Sequence, residues 1–413
     1  MMKRRVVVTG LGAISPIGNT VLENWKSIQN QVCGINEITH FDTSDYKVKL
    51  AGEVKNLNVE DYFTKREMKF NDRFTQFARI ASKQAFEDAK LDQCDFNHQR
   101  FGVIIGSGIG GIESIENAEQ SLLNRGPSKV SPYFIPMALV NLAAGAVAID
   151  CNAKGHVSSC VTACAAGTNA IGEAFHKIRD GYEDVMLAGG SEASITPLAV
   201  AGFASMKALH IGEDPQRASI PFDKERSGFV MGEGSAILVL EELEHALNRG
   251  AHIYGEVVGY GATCDAHHIT APLSDGSGGG EAMLAALNDA KLAPSQIDYI
   301  NAHGTSTPLN DKSETTAVKY AFKEHAYSLC MSSTKSYTGH LLGASGALES
   351  VFCIMALKDG YIPATIHYQN KDEECDLDIV ANVSRHQNIQ YAMNNSLGFG
   401  GHNASLIFKK WED

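Results

Sequence analysis

Cys164 stands in a segment whose residue types favour a reactive thiol. The run 161–170 is small, uncharged and turn-like, and an amphipathic stretch, 171–178, follows it. This pattern predicts a thiol at or near the N-terminus of a helix, where the helix dipole and unpaired backbone N–H groups favour an anion. We therefore expect a thiolate accessible near neutral pH that can carry an acyl group as a thioester. The alternative is a buried structural cysteine, the more common fate of a single cysteine.

Three further segments carry residues that suit a shared site with Cys164. His303 lies in a loop of small and hydroxyl residues, and Lys335 and His340 stand five residues apart in another. The run 398–401 contains glycines that let backbone N–H groups approach a ligand closely. Two imidazoles, a cation and a glycine loop beside one thiol predict a nucleophilic centre rather than a structural cysteine.

The elements that must position these segments show a weak internal repeat. Strand-like runs alternate with helical ones along the chain, which predicts an α/β fold. The proposed equivalent pairs are 5–9 with 254–258, 101–105 with 297–300, the Cys164 turn with 332–340 and a following helix over about 341–357, and 184–191 with 398–403 and the strand 404–408. The duplication predicts two similar halves, 1–251 and 252–413, that face each other with the site between them.

Bulk composition excludes several other classes of protein. The 413 residues suggest two domains or fused halves, and the net charge of −13 disfavours nucleic acid as a partner. No apolar run is long enough to span a bilayer, and the N-terminus lacks a signal-peptide core, so we expect a cytoplasmic protein. Nine cysteines without a CxxC pair, together with scattered histidines, argue against a disulfide framework and predict no bound metal.

Residues 6–18 resemble a strand followed by a glycine-rich dinucleotide loop. Ser15 stands where the third glycine of GxGxxG is needed, and Pro16 follows it directly. We therefore assign Gly10 and Gly12 to tight packing of a turn, and an NAD-dependent oxidoreductase remains only a weak alternative.

Five motifs now point to one family. They are TACAAGTNAIGEAF (162–175), PFDKERSGFVMGEG (221–234), NAHGTSTP (301–308), STKSYTGHLLGASG (333–346) and NSLGFGGHNA (395–404). In content and order they resemble the β-ketoacyl-[acyl-carrier-protein] synthases, the condensing enzymes of fatty-acid synthesis, and they span nearly the whole chain. GSGIGG at 106–111 and GFVMGEG are closer to synthase II. The resemblance implies a thiolase-like fold of two α/β halves in a five-layered α-β-α-β-α core.

The resemblance also implies an activity and a set of roles. Cys164 would take the acyl group from acyl carrier protein, and malonyl-carrier protein would then lose CO2 and attack the acyl thioester by a ping-pong mechanism. His303 and His340 would donate Nε2–H bonds to the enolate, and the backbone N–H groups of Cys164 and Phe399 would form the oxyanion hole. Lys335 would order the site, paired with Glu349. The phosphopantetheine arm belongs to the carrier protein, so no cofactor is expected.

Further residues match family positions, although each also has a simpler structural explanation. Thr270, Thr305 and Thr307 resemble pantetheine-binding positions, although loop capping would also explain them. Four apolar residues also match family positions. Phe203 and Phe399 resemble a gating pair, and Ile109 and Phe134 resemble the lining of an acyl pocket, with Phe134 reaching across a homodimer interface. Alternatively, all four are ordinary core residues. Four lysines resemble positions that dock the carrier protein: Lys65, Lys69, Lys129 and Lys207. Alternatively, they are ordinary charges in contact with solvent.

Four residues depart from the family pattern and leave substrate preference and carrier affinity open: Met68, Ser128, Asn310 and His402. Two alternatives share the fold. One is a polyketide-type ketosynthase, and the other is a non-catalytic chain-length partner that has lost its nucleophile.

Overall fold

A computed structural model of the protein describes residues 3–412. The strands are β1 (Val6–Ile14), β2 (Asn36–Glu37), β3 (Leu50–Ala51), β4 (Phe101–Gly106), β5 (Val157–Ser158), β6 (Val185–Glu192), β7 (Gly234–Glu242), β8 (Gly255–Cys264), β9 (Tyr299–Asn301), β10 (Cys330–Ser332), β11 (Tyr361–Ile362), β12 (Arg385–His386), β13 (Tyr391–Gly398) and β14 (His402–Lys410).

The helices alternate with these strands. They are α1 (Val21–Gln29), α2 (Lys65–Met68), α3 (Arg73–Asp88), α4 (Ile112–Arg125), α5 (Phe134–Ala138), α6 (Leu142–Asp150), α7 (Ala166–Arg179), α8 (Pro197–Ser205), α9 (Pro215–Ala218), α10 (Leu243–Asn248), α11 (Ser277–Ala290), α12 (Pro308–Phe322), α13 (Lys335–Thr338) and α14 (Ser345–Asp359). Several begin at sequence-encoded caps. Thr196 and Thr307 each accept a backbone N–H bond just before a proline in the first helical turn.

Ten of these strands form one continuous sheet in the order β10-β9-β13-β14-β8-β1-β7-β6-β4-β5. Each half of this order contains the same arrangement. In the first half, β1 and β7 pair antiparallel, as do β7 and β6, while β6, β4 and β5 run parallel. In the second half, β8, β14, β13, β9 and β10 repeat that pattern. Within the sheet, the halves join through three residue pairs between β1 and β8. The repeated strand pattern shows that the fold is a duplication.

Helices complete five layers around the duplicated sheet. α3 packs on the outer face of the first half and α11 on that of the second, while α7 and α14 lie between the halves and contact strands of both. α14 is buried from Ser345 to Leu357. A helix surrounded by protein on all sides needs small or apolar residues all round, as its sequence supplies. The predicted α-β-α-β-α architecture is confirmed.

The glycines near the N-terminus serve a strand rather than a turn. β1 continues unbroken to Ile14, so the expected end at residue 9 is wrong. A Cβ on Gly10 would lie 2.3 Å from the Ala85 carbonyl oxygen of α3, and one on Gly12 would lie 2.0 Å from that of Ala81. The helix can approach the strand this closely only without side chains there. These glycines therefore form no dinucleotide loop.

One predicted pair in the internal repeat is also wrong. The strand order makes β6 equivalent to β13 and β7 equivalent to β14, so 184–191 does not correspond to the strand at 404–408. β13 escaped detection because Asn394, Asn395 and Ser396 are polar although fully buried. Ser396 meets the Thr168 hydroxyl at 2.7 Å, and the Asn394 amide donates to Gly346 O at 2.7 Å. Tertiary hydrogen bonds to the Asn394 amide N–H groups and the Ser396 hydroxyl hold these polar side chains inside the core.

All nine cysteines lie within the described residues, and each is a free thiol. Between residues 3 and 412, no helix is both long and apolar enough to cross a membrane.

Candidate active site

The nucleophile candidate lies on a tight turn that leads into α7. A short 3₁₀ turn, Ala163–Ala165, precedes the helix, and Ala163 has φ +48°. A left-handed conformation is costly for alanine and persists only where the surroundings enforce it. The turn aims the Cys164 side chain, 9% exposed, into a cavity of about 380 Å³. Cys164 therefore sits at a helix N-terminus, as its sequence predicts.

Two histidines from the second half meet this thiol. His303 follows β9, and its loop is held by Glu314 of α12, whose two carboxylate oxygens accept the N–H groups of His303 and Gly304 at 2.7 Å each. His340 follows α13, and its N–H donates to Val230 O at 2.7 Å. The two imidazole rings are 5.2 Å apart and nearly perpendicular. The sulfur and one nitrogen of each ring all lie within 4.8 Å of one another.

Lys335 lies behind His303 rather than in the cavity. Its Nζ donates to Glu349 Oε1 at 2.5 Å and to the His303 carbonyl at 2.6 Å, and it lies 3.5 Å from His303 Nδ1. An ammonium has three donors and no acceptor, so the His303 Nδ1 must accept. The ring proton is then on Nε2, which faces the thiol side of the cluster.

Burial dominates the electrostatics of the cluster. Desolvation raises the pKa of Cys164 to about 12, opposed by Lys335 and by the backbone N–H groups of Cys164 and Phe399. Desolvation, reinforced by the charge of Lys335, holds the pKa values of His303 and His340 well below their usual range. Burial thus favours a neutral thiol beside two neutral imidazoles. It opposes the thiolate that the helix N-terminus favours, because desolvation penalises the charged form of the sulfur.

The glycine turn at Gly398–Gly401 closes over the thiol. Gly400 and Gly401 have φ +87° and +74°, and the turn is tied to a neighbouring loop by Gly400 N–H donating to Ile269 O at 2.6 Å. A Cβ on Gly398 would lie 3.3 Å from the Cys164 backbone nitrogen. The turn thus brings the Phe399 N–H to the sulfur, where it joins the N–H of Cys164. Two such donors suit an oxyanion on an acylated Cys164.

The cavity collects several of the other predicted residues. Those that line it are Phe203, Lys207, Thr270, Thr305, Thr307, Asn310 and Phe399. Thr305 and Thr307 hydroxyls lie 3.0 Å apart, and Thr307 also caps α12. Phe203 reaches His340 through Phe229, with edge-to-face ring contacts of 5.4 and 5.3 Å.

Several predicted residues lie outside the cavity. Ile109 packs in the apolar cluster that includes Cys164, and Phe134 lines a separate groove beside Leu198. Lys65, Lys69 and Lys129 are exposed, and Glu349 is fully buried. Among the departures, Asn310 donates to Asp311 at 3.0 Å, while His402 begins β14 opposite Gly398. Met68 packs beside an apolar cluster, and Ser128 is exposed.

Two buried carboxylates escaped the sequence analysis. Glu314 fixes the His303 loop, and desolvation raises its pKa to about 7. Glu192 ends β6 and accepts bonds from Ser107 Oγ at 2.9 Å, Gly108 N at 2.7 Å and Gly343 N at 2.9 Å. An acid at the end of a mostly apolar strand was the available signal for Glu192, because such a group needs buried hydrogen-bond donors.

Two family models match this chain. Residues 3–246 match the β-ketoacyl synthase N-terminal domain, and residues 254–369 match the C-terminal domain. The chain is 54% identical over 411 residues to a 3-oxoacyl-[acyl-carrier-protein] synthase 2 of Synechocystis sp., covering 99% of both chains. It is 53% identical over 409 residues to the Staphylococcus aureus protein of the same name, again over 99% of each.

Solved structures share the fold. A β-ketoacyl synthase from Burkholderia phymatum superposes with a TM-score of 0.92 at 34% identity, over 99% of this chain and 100% of the other. A type II polyketide ketosynthase, solved with its acyl-carrier protein and bound to the hexaketide, gives 0.91 at 36% identity over the same shares. Matched over nearly its whole length in sequence and in fold, this chain belongs to the β-ketoacyl synthase family.

Proposed function

We propose that this protein is a 3-oxoacyl-[acyl-carrier-protein] synthase of the synthase 2 type. It condenses acyl- and malonyl-carrier protein into 3-oxoacyl-carrier protein with release of CO2, and so acts as an acyltransferase in fatty-acid elongation. The observation that carries this function is the meeting of Cys164, His303 and His340 within 4.8 Å in one cavity. Identity above 50% over the full length to synthase 2 proteins selects the substrate class.

In the first half-reaction, the acyl group moves to Cys164. The thiol must lose its proton as the sulfur attacks, because burial makes a free thiolate costly. His340 suits this role, since the Ser345 hydroxyl lies 2.9 Å from its Nδ1 and can accept a proton there, which leaves Nε2 as a base. His340 then passes the proton to the departing phosphopantetheine sulfur. The N–H groups of Cys164 and Phe399 hold the tetrahedral oxyanion.

In the second half-reaction, malonyl thioester enters the same cavity and loses its carboxylate as CO2. The electron pair moves into an enolate, whose oxygen accepts hydrogen bonds from His303 and His340. Lys335 keeps the His303 Nε2–H in place, and the Ser345 hydroxyl can rotate to donate to His340 Nδ1. The enolate carbon attacks the acyl-Cys164 carbonyl, and the collapse of the adduct releases Cys164, which takes up a proton. No cofactor of the protein's own enters these steps.

Cavity residues supply substrate contacts in this proposal. Thr270, Thr305 and Thr307 bind the pantetheine amides near the mouth, and Phe203 with Phe399 gates the path to the thiol. Outside this cavity, Ile109, which packs in the apolar cluster with Cys164, and Phe134, which reaches across the proposed homodimer interface, line the acyl pocket. Lys335 is a positioning residue that acts through His303, with Glu349 neutralising its charge in the core.

The acyl carrier protein is the proposed macromolecular partner. Lys65, Lys69, Lys129 and Lys207 are exposed cations on a chain of net charge −13, and they suit an acidic carrier. A solved neighbour at 36% identity is a ketosynthase in complex with its acyl-carrier protein. Exchange of Lys65 and Lys69 for Glu should raise KM for acyl-carrier protein but not for acyl-phosphopantetheine. Lys83→Glu, another exposed lysine, is the matched control.

We further propose a homodimer of chains whose halves are 1–251 and 252–413. β5 is an edge strand of the sheet and contacts α6, and exposed apolar side chains lie on α6 and just after β5, with Ile149 82% and Val161 56% exposed. Such a patch favours a protein partner. Ile149→Glu should shift the sedimenting species toward monomer, whereas Leu247→Glu, also at an exposed apolar residue, should leave it unchanged.

A polyketide ketosynthase is the second candidate, because a solved ketosynthase of a type II polyketide system shares the fold at 36% identity. Turnover across saturated and unsaturated acyl-carrier substrates, with malonyl-carrier protein, tests the choice. One round of condensation per acyl chain supports the elongating synthase. Repeated condensation into an unreduced polyketide chain would contradict it, and no condensation at all would support a non-catalytic partner.

A further inference from the structure

We propose that Cys164, His303 and His340 also form a binding site for a thiophilic divalent cation such as Zn²⁺, and that the bound cation blocks the acyl-accepting thiol. This site uses the same side chains as the proposed function but needs no substrate. Within residues 3–412, it is the one group of three His, Cys, Asp or Glu side chains whose ligand atoms come this close.

The ligand set and its spacing suit such a cation. Zinc binds thiolate at about 2.3 Å and imidazole at about 2.0–2.1 Å in a tetrahedron, so its ligand atoms stand roughly 3.3–3.6 Å apart. The three atoms already lie within 4.8 Å. Side-chain shifts of roughly 1 Å would complete the set. The fourth position opens to the cavity of about 380 Å³, where water can occupy it.

The surroundings orient two of the three ligands. The Ser345 hydroxyl lies 2.9 Å from His340 Nδ1 and can accept its proton, which leaves Nε2 with a free lone pair. A second contact of this kind fixes ring orientation in metal sites. The turn at Ala163–Ala165 fixes Cys164. On binding, the cation replaces the thiol proton, which passes to solvent, and an S–Zn bond forms with no change in oxidation state.

Lys335 opposes this binding. Its Nζ forces His303 Nδ1 to accept, so the proton occupies the Nε2 that the cation needs. The ammonium also repels a cation beside His303. We infer that Lys335 weakens metal affinity and so keeps a Cys-His-His centre free for substrate. The inference predicts that removal of this charge strengthens the site.

The test uses the purified full-length protein without substrate. Zn²⁺ is titrated while iodoacetamide labelling of the Cys164 peptide is followed by mass spectrometry, and Co²⁺ is titrated while thiolate-to-metal absorption is followed. One equivalent of Zn²⁺ should protect Cys164, and a chelator should restore labelling. Cys164→Ala should abolish the Co²⁺ absorption, while Cys264→Ala, which removes an exposed thiol, should preserve it. Unchanged labelling with Zn²⁺, or Co²⁺ absorption that survives in Cys164→Ala, overturns the proposal.

Two variants test the opposed roles around His303. Loss of a second-shell partner typically costs a metal site 10–100-fold in affinity, so loss of the ligand in His303→Ala should cost at least about that much. Lys335→Met, combined with Glu349→Gln so that no carboxylate is buried alone, should bind Zn²⁺ more tightly by about 10-fold or more. Weaker binding in the folded double variant contradicts the role of Lys335. Because neither readout uses turnover, an inactive protein that still binds Zn²⁺ refutes the enzyme function alone.

Discussion

The turn before α7 and the turn before α14 have nearly the same backbone but opposite uses. Each begins with a non-glycine residue in the left-handed region, Ala163 at φ +48° and Leu342 at φ +48°. Each continues as a three-residue 3₁₀ turn into a long buried helix. The next residue is Cys164 in one copy and Gly343 in the other. The duplicated fold therefore offers two equivalent positions for a nucleophile, and only one of them carries a thiol.

The groups that face the backbone N–H donors of the two turns explain the difference. The N–H groups of Gly343 and Gly108 both donate to Glu192 Oε2, at 2.9 and 2.7 Å. Glu192 ends β6 at the place where Gly398 ends β13. Beside the second turn a carboxylate thus accepts the Gly343 N–H, whereas in the first turn the corresponding Cys164 N–H, together with that of Phe399, faces an open cavity. The fold supplies the donors, and side chains decide whether they meet substrate.

The largest expected effect, on acyl transfer, comes from removing the thiol of the first turn, so that it carries no sulfur, like the second. Cys164→Ala should lower acyl transfer by at least roughly 10⁴-fold, because no other group in the cavity can carry the thioester. Rapid-quench measurement of acyl-enzyme formation checks this. Cys264→Ala should retain transfer. Formation of 3-oxoacyl product by Cys164→Ala would show that the nucleophile is another residue.

His303 separates the two half-reactions at the first turn. His303→Ala should leave acylation of Cys164 nearly intact and lower condensation by about 10²–10⁴-fold, since the enolate loses a donor. Single-turnover assays with acyl-carrier protein alone and then with malonyl-carrier protein measure the steps separately. Equal loss in both steps would assign His303 to thiol activation as well.

Substitution of Gly343 tests whether close packing excludes a side chain from the second turn. A Cβ there would lie 2.4 Å from the Gly108 nitrogen and 2.8 Å from Glu192 Oε2. Gly343→Ala should lower the free energy of unfolding by about 1–3 kcal/mol, as measured by denaturant titration. At Gly202, nothing lies near an added Cβ, so Gly202→Ala should be neutral or slightly stabilising. Equal stability of the two variants would mean that the second turn tolerates a side chain.

The last expected effect, which appears only as pH changes, concerns the carboxylate that holds the His303 loop. The folded pKa of Glu314 is raised to about 7 by burial, above an unfolded value near 4.5. Its protonated form is therefore favoured on folding, and this contribution to stability is lost as pH rises from about 4.5 through 7. Glu314→Gln should remove that loss, so its stability relative to wild type should rise by about 2–3 kcal/mol across the window. A difference that is constant with pH would show that Glu314 is ionised throughout.

The sequence predicted the site better than it predicted the strands that build it. Cys164, His303 and His340 stand in motifs of unusual composition, and their loops follow strands, so their convergence could be inferred. β13 could not be recognised, because Asn394 and Asn395 look exposed in sequence yet are buried among tertiary hydrogen bonds. Glu192 and Glu314 were missed for the same reason. A buried acid is recognisable only once its donors are known.

The sequence by itself determined the family, the duplicated α/β architecture, and the proposed nucleophile with its two histidines, because these depend on local composition and on motif order. The tertiary structure alone decided their chemical state. It buries Cys164 and so raises its pKa, and it places the Lys335 ammonium where the tautomer of His303 becomes fixed. It also decided which of two equivalent turns is open, since Glu192 and Gly343 meet only when the halves pack together. Protonation and access depend on distances between residues remote in the chain, which the sequence does not contain.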